Sequence, residues 1–275
     1  MSGALVRTIP VGPLQCNCSI VADPDAGEAV VIDPGDEADK ILLALASTKC
    51  RAIALLHTHG HFDHIGGASA VKRTTGAAIR IHAADRPLYD ALPDQASFFG
   101  LSAETPLPPD GGLSDGESIA VGRLRLTAIH TPGHTPGSTC FRLEGEKPLL
   151  FAGDTLFRRS IGRTDLWGGD TETILASIRQ KLFTLPPDLR VICGHGPDTT
   201  IGEERRDNPF VAQGGVVGSV FAYGLRNTFG IAFDPVSGAL WDQQNADDAF
   251  DELNRVERGM NGGWIQIMGP VARIA

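Results

Sequence analysis

The segment His57-Thr58-His59-Gly60-His61-Phe62-Asp63-His64 directly follows an apolar run at residues 52–56, and the rest of the chain is read outward from it. Four of the eight histidines in the chain fall within these eight residues, a density that disfavours a polar loop with fortuitous histidines. Imidazole and carboxylate are ligand types suited to Zn²⁺ or Fe²⁺. In an extended loop, residues two apart point the same way, so His59 and His61 can clamp one ion. Asp63 and His64 then turn toward a second position.

Three later segments place further ligand types just after apolar, strand-like runs. Thr131-Pro132-Gly133-His134-Thr135-Pro136-Gly137 sets a histidine in a Gly/Pro turn after residues 123–129. Phe151-Ala152-Gly153-Asp154-Thr155 sets an acid after residues 149–152, where a carboxylate can bridge two ions. Ile192-Cys193-Gly194-His195-Gly196 repeats the arrangement after residues 190–193. Each alone is weak, because a lone histidine after a strand is more often a hydrogen-bonded structural residue. Together they supply seven ligands (His59, His61, Asp63, His64, His134, Asp154, His195), enough for two sites that each keep a position for water.

The surrounding pattern is α/β. Further strands are expected at residues 19–22, 29–32, 77–82 and 138–143. Ala38, Ile41, Leu42 and Leu45 trace a helix capped by Asp36. Ile174, Leu175, Ile178 and Leu182 trace a second, starting near Asp170 and ending before Pro186, and residues 65–75 form a third. Alternating strands and helices imply sheets covered by helices. Several strand ends then deliver ligands to one rim, where loops on a rigid sheet carry function.

Composition narrows the function. The chain has 275 residues with 42% hydrophobic and 21% charged, enough for a packed core. Its net charge of −9 argues against nucleic acid or an anionic membrane as partner. No stretch approaches the roughly 20 apolar residues of a membrane span. The N-terminal residues lack a basic region followed by a long apolar run. Cys16, Cys18, Cys50, Cys140 and Cys193, an odd number at scattered spacings, read as free thiols. A cytoplasmic location is expected.

The pattern Thr-His-x-His-x-Asp-His, followed by an isolated His, an Asp and a final His, resembles the metallo-β-lactamase fold superfamily. Within it, the chain is similar to glyoxalase II-like hydrolases, through Gly153-Asp154-Thr155-Leu156-Phe157, Ser160-Ile161-Gly162-Arg163-Thr164-Asp165 and Gly194-His195-Gly196-Pro197-Asp198-Thr199-Thr200. The resemblance spans residues 3–210 and implies an αββα sandwich with metals at one sheet edge. It further implies that His59, His61 and His134 hold one divalent ion, Asp63, His64 and His195 a second, and that Asp154 bridges them. Zinc is the expected metal, with iron or manganese as alternatives. β-Lactamases of this fold generally lack the bridging acid, so Asp154 argues against antibiotic hydrolysis.

The resemblance implies hydrolysis of a thioester such as S-lactoylglutathione. A hydroxide held by the metals attacks the carbonyl, and Asp63 orients it or relays its proton. A lactonase acting on acyl-homoserine lactones needs the same metals. The chain also resembles the persulfide dioxygenase branch around Gly162-Arg163-Thr164-Asp165, which implies, as a third reading, one iron on His59, His134 and Asp154. No Gly-x-Ser-x-Gly elbow is present.

Other residues read more plainly. His57 is a packed histidine or a hydrogen-bonding support for the ligands, and His82 and His130 lack ligand-like company. Cys16-Asn17-Cys18 reads as an early strand and Cys193 as a small buried side chain. Arg163 and Asp165 read as an ion pair near the site, with Arg163 also a candidate substrate contact.

Residues 211–275 depart from the glyoxalase II pattern. They contain no Lys or His, and residues 229–241 read as a β-hairpin turning at Asp234-Pro235. The segments 221–235 and 251–264 resemble a piece of the sorbosone/glucose dehydrogenase β-propeller family, far short of a closed propeller. We therefore divide the chain into a hydrolase domain, residues 1–210, and an appendage, residues 211–275. The appendage's aromatic residues (Phe221, Tyr223, Phe229, Phe233, Trp241, Phe250, Trp264) are expected to pack on the main domain or form a homodimer contact.

Overall fold

The computed structural model describes residues 3–211 in full and, beyond them, the backbone of five short strands. The chain divides into two compact units, residues 1–213 and 214–275. The first half of unit one contains β1 (Leu5–Val11), β2 (Cys16–Asp23), β3 (Glu28–Ile32), α1 (Ala38–Ala46), β4 (Arg51–Leu56), α2 (Phe62–Ile65), α3 (Ala68–Thr75), β5 (Ala78–Arg80), α4 (Arg86–Asp90) and α5 (Leu92–Phe98). The second half contains β6 (Ser118–Val121), β7 (Leu124–His130), β8 (Thr139–Leu143), β9 (Leu149–Gly153), β10 (Leu156–Phe157), β11 (Ser160–Ile161), α6 (Thr171–Ser177), β12 (Arg190–Cys193), β13 (Thr199–Thr200) and α7 (Ile201–Asp207).

Two sheets result. The first has the order β1-β2-β3-β4-β5, antiparallel through β3 and parallel from β3 to β5. The second has the order β13-β12-β9-β8-β7-β6, with β12 parallel to β9 and the remaining neighbours antiparallel. Strands β7, β9 and β12 thus run in one direction and end at one edge. Pro10 lies in β1, an edge strand, where a missing amide is tolerated.

Three buried clusters separate four layers. One joins the first sheet to α1, α3 and α5 through Ile20, Val31, Leu55, Ile41, Val71 and Leu92. A second lies between the sheets, where Val30, Ile32 and Leu56 meet Leu126, Phe141 and Phe151. The third joins the second sheet to α6 and α7 through Leu150, Val191, Ile174 and Ile201. Each fully buried Leu or Ile contributes roughly 1.5–3 kcal/mol. This is the expected αββα sandwich.

Local differences from the sequence reading have physical causes. Asp36 does not cap α1: Glu37 holds the cap position at φ 48° without a side-chain cap, and Asp36 Oδ1 accepts from the Glu37 amide. The helix expected at residues 65–75 is broken at Gly66-Gly67 into α2 and α3, since Gly67 N donates to Pro34 O and Gly35 O. Asp170 does cap α6, accepting from Thr173 N at 2.7 Å. The stripe continues as a π-helical turn, Ile178–Leu182. Helices α4 and α5 escape periodicity because each is short and carries proline in its first turn, where proline is tolerated.

In the second unit, β14 (Ala222–Tyr223) pairs in parallel with β18 (Met260–Asn261). Strands β15 (Thr228–Phe233), β16 (Leu240–Gln244) and β17 (Glu252–Val256) form an antiparallel meander, so residues 229–241 include the expected hairpin strands. The turn at Asp234-Pro235 and the packing of the aromatic side chains lie outside the described residues. Among the described residues, no helix is long and apolar enough to cross a membrane.

Candidate metal centre

All seven residues singled out as ligands converge where the parallel strand ends meet. His59 and His61 follow β4, with Asp63 and His64 in the short helix α2. His134 lies between β7 and β8, Asp154 follows β9, and His195 follows β12. Their donor atoms fall into three groups within 4.8 Å: His59 with His61 and His134, His59 with His64 and Asp154, and Asp63 with His64 and His195. His59 Nε2 and His134 Nε2 are 3.2 Å apart, as are His64 Nε2 and His195 Nε2. Asp154 lies between the groups: Oδ1 is 3.4 Å from His64 Nε2, and Oδ2 is 3.6 Å from His134 Nε2 and 3.7 Å from His195 Nε2.

The donor set fits divalent cations. Ligand nitrogens about 2.0–2.1 Å from a tetrahedral Zn²⁺ stand roughly 3.3–3.4 Å from one another, close to the observed spacings. Three rings have their Nδ1 engaged elsewhere. His64 Nδ1 faces Asp33 Oδ2 at 3.0 Å, His134 Nδ1 donates to Arg163 O at 2.7 Å, and His195 Nδ1 donates to Leu14 O at 2.9 Å. Such partners fix the tautomer that leaves an Nε2 lone pair pointing inward. Among the described residues, buried Asp154 Oδ1 finds no partner in hydrogen-bond geometry, His64 Nε2 standing off at 3.4 Å, so it is an acceptor suited to a cation.

Electrostatics divides the cluster. Burial, then neighbouring imidazoles, push His59 well below its usual range, and burial with His134 takes His61 down to about 3. Both are neutral and available as ligands. Burial opposes charge on Asp63 and Asp154 too, but His64 and His195 override it and hold both carboxyls low. Burial likewise opposes the rise of His64 and His195, which the surrounding anionic groups nevertheless impose. These carboxylates gather positive charge, and a metal ion competes with protons for the same place.

Asp33 was not singled out in the sequence, although Asp33-Pro34-Gly35 follows an apolar strand. Buried at the end of β3 with φ 52°, it accepts from Thr58 N at 2.7 Å and Thr58 Oγ1 at 2.6 Å, besides facing His64. The Thr58 hydroxyl in turn lies 3.0 Å from His59 Nδ1, so one carboxylate orients ligands of both groups. Asp85 was also missed. Completely buried, it accepts from Gly60 N (2.9 Å), Thr135 Oγ1 (2.7 Å) and Gly137 N (2.6 Å), tying the loop of His59 and His61 to that of His134. Close approach demands glycine at several places around the cluster, Gly35 and Gly194 among them. A Cβ on Gly35 would sit 1.7 Å from Asp63 O, and one on Gly194 would sit 2.1 Å from Asp154 Oδ1.

The remaining residues lie as follows. His57 is wholly buried, its ring 6.1 Å from that of Tyr89, and burial pushes it down to about 4. Among the described residues its ring nitrogens lie outside hydrogen-bond geometry, as for a packed histidine. His82 and His130 stack on each other at 4.1 Å, outside the ligand groups. The five cysteines are free and buried; Cys16 Sγ lies 3.5 Å from His64 Nδ1, and burial pushes its thiol up to about 12. Arg163 pairs with Asp165 and also lines a cavity of about 480 Å³ that opens onto His61, Asp63, His134, Asp154 and His195.

Two sheets facing each other between helices, with imidazoles and carboxylates gathered at one strand edge, define a metal-dependent hydrolase fold. The metallo-beta-lactamase superfamily profile matches residues 11–195, and the chain belongs to that superfamily. The hydroxyacylglutathione hydrolase GloC of Haemophilus influenzae is 42% identical over 208 residues, covering 75% of this chain and 97% of the relative. The BLEG-1 B3 metallo-beta-lactamase superposes with a TM-score of 0.71 at 40% identity, covering 76% of this chain and all (100%) of that one. TTHA1623 in a di-iron-bound form gives 0.68 at 38% identity, covering 74% and 99%. Residues 199–270 match the glucose/sorbosone dehydrogenase profile.

Proposed function

We propose that the chain hydrolyses a thioester at a dinuclear centre, with His59, His61 and His134 holding one cation, Asp63, His64 and His195 the other, and Asp154 between them. The observation that carries this reading is the placement of Asp154, whose two oxygens face different histidines at 3.4–3.7 Å. The di-iron form of TTHA1623 supports two metals, and the GloC relative supports a thioester. Zinc is the metal we propose, with iron and manganese the alternatives for this nitrogen–oxygen donor set.

Bound cations acidify a water molecule and polarise a carbonyl oxygen. The chain's own groups do the rest. Asp63, at the cavity wall beside His195, orients the water and accepts its proton on the carboxylate. Asp33 and the carbonyls of Leu14 and Arg163 hold the imidazoles in one tautomer. A C–O bond forms as the C–S bond breaks, and the proton held at Asp63 passes to the departing thiolate. Arg163, in the cavity wall, is placed to contact substrate.

The same centre serves lactone opening, the second reading. Metal analysis of the purified chain, with a panel of S-lactoylglutathione, an acyl-homoserine lactone, a β-lactam and glutathione persulfide, tests the proposal. Two metals per chain with thioester turnover is the expected result. One iron per chain with oxygen uptake overturns it in favour of a dioxygenase. Turnover of the lactone or β-lactam without the thioester overturns the substrate.

A further inference from the structure

The cavity beside the ligand cluster has a second, apolar wall. Phe62, between His61 and Asp63, stacks on Phe99 with centroids 4.8 Å apart, and Phe99 meets Phe98 edge-on at 5.3 Å. Phe98 is 81% exposed and Trp167 59%, and both line the cavity with Leu14 and Leu166. Large apolar side chains exposed together in a cavity mark a binding surface.

This wall is mounted on the segments that orient the ligands. Leu14 supplies the carbonyl that holds His195, and Trp167 lies four residues beyond Arg163, whose carbonyl holds His134. Whatever lies on the wall is therefore beside the reacting bond. Among the described lining residues Arg163 is the one cationic side chain outside the histidines, and Asp165 engages its guanidinium. An anionic peptidic thiol such as glutathione meets apolar carbon there, together with Asp63 and Asp154.

We infer that the wall receives an apolar chain attached to the scissile carbonyl, making acyl thioesters with medium-length aliphatic chains the preferred substrates. The inference rests on the hydrolase reading above and names its substrate class. Phe98 and Trp167 set the specificity by covering the methylenes.

The test uses the full, metal-loaded chain and S-acyl-N-acetylcysteamine thioesters from acetyl to decanoyl. We expect kcat/KM to rise about two- to fourfold per methylene, the upper figure corresponding to ~0.8 kcal/mol per buried CH₂, with most of the change in KM. The double variant F98A/W167A should reduce the octanoyl-to-acetyl ratio of kcat/KM by about tenfold, the loss of roughly two methylenes' worth of contact. A flat series, or S-lactoylglutathione turned over faster than the octanoyl thioester, overturns the inference and leaves the hydrolase reading standing. If no thioester is turned over, the thioester reading fails, and calorimetric binding of decanoate against acetate decides the wall separately. Tighter decanoate binding that F98A/W167A abolishes sustains an apolar-chain site; equal binding of the two acids overturns it.

Discussion

Replacing Asp85 by alanine probes the joint between two ligand-bearing loops. The wild-type carboxylate satisfies the amides of Gly60 and Gly137 and the hydroxyl of Thr135. After truncation, the Thr135 hydroxyl retains Ser138 Oγ at 2.8 Å, so two buried amides are left without this acceptor. Each orphaned donor costs about 1–3 kcal/mol, giving roughly 2–6 kcal/mol. Burial also raises the Asp85 carboxyl above its ordinary range, and deleting an expensively desolvated group returns part of that sum. A net loss of about 3 kcal/mol follows, or roughly 6–12 °C in Tm for a domain of this size. Asp85→Asn keeps one acceptor oxygen and should fall about halfway. Because the joined loops carry His59, His61 and His134, metal affinity should drop with stability, by about 10–100-fold as for other groups that orient ligands. Thermal melts with and without added zinc, together with metal titration, read both effects. An Asp85→Ala protein that melts like wild type and binds metal as tightly would refute the idea that this carboxylate joins the loops.

Asp33→Asn should weaken metal binding about 10–100-fold, because the amide cannot serve His64 and both Thr58 donors as the carboxylate does; unchanged competition against a chelator would remove Asp33 from that role. Arg123, first through its guanidinium and then its amide, holds the Asp23 carboxyl well below its ordinary value of 3.8. The folded-state value being the lower one, this stabilisation is complete above the ordinary value and is lost as pH falls below it. Urea midpoints should therefore drop as pH falls below about 4, and less steeply in Asp23→Asn; equal slopes in the two proteins would contradict this.

The convergence of seven histidine and aspartate side chains was legible in the sequence because metal chemistry admits few side chains and the chain places them at strand ends, in local patterns such as His59-Gly60-His61. The sheets were legible for a similar reason: burial on both faces makes strands such as β3 and β9 continuous apolar runs. Other features have no such local signature. Asp85 lies 50 residues from Thr135, and its role exists only once two sheets bring their loops together. Asp33 reads as a turn residue until His64 and Thr58 close on it. Phe98, Phe99 and Trp167 read as scattered aromatics, and only folding sets them along one cavity. Side-chain chemistry and short-range periodicity decided which ions this chain could hold and in which kind of layers. Long-range packing decided what orients those imidazoles and what surface lines the cavity beside them, because those contacts join residues that no period in the sequence relates.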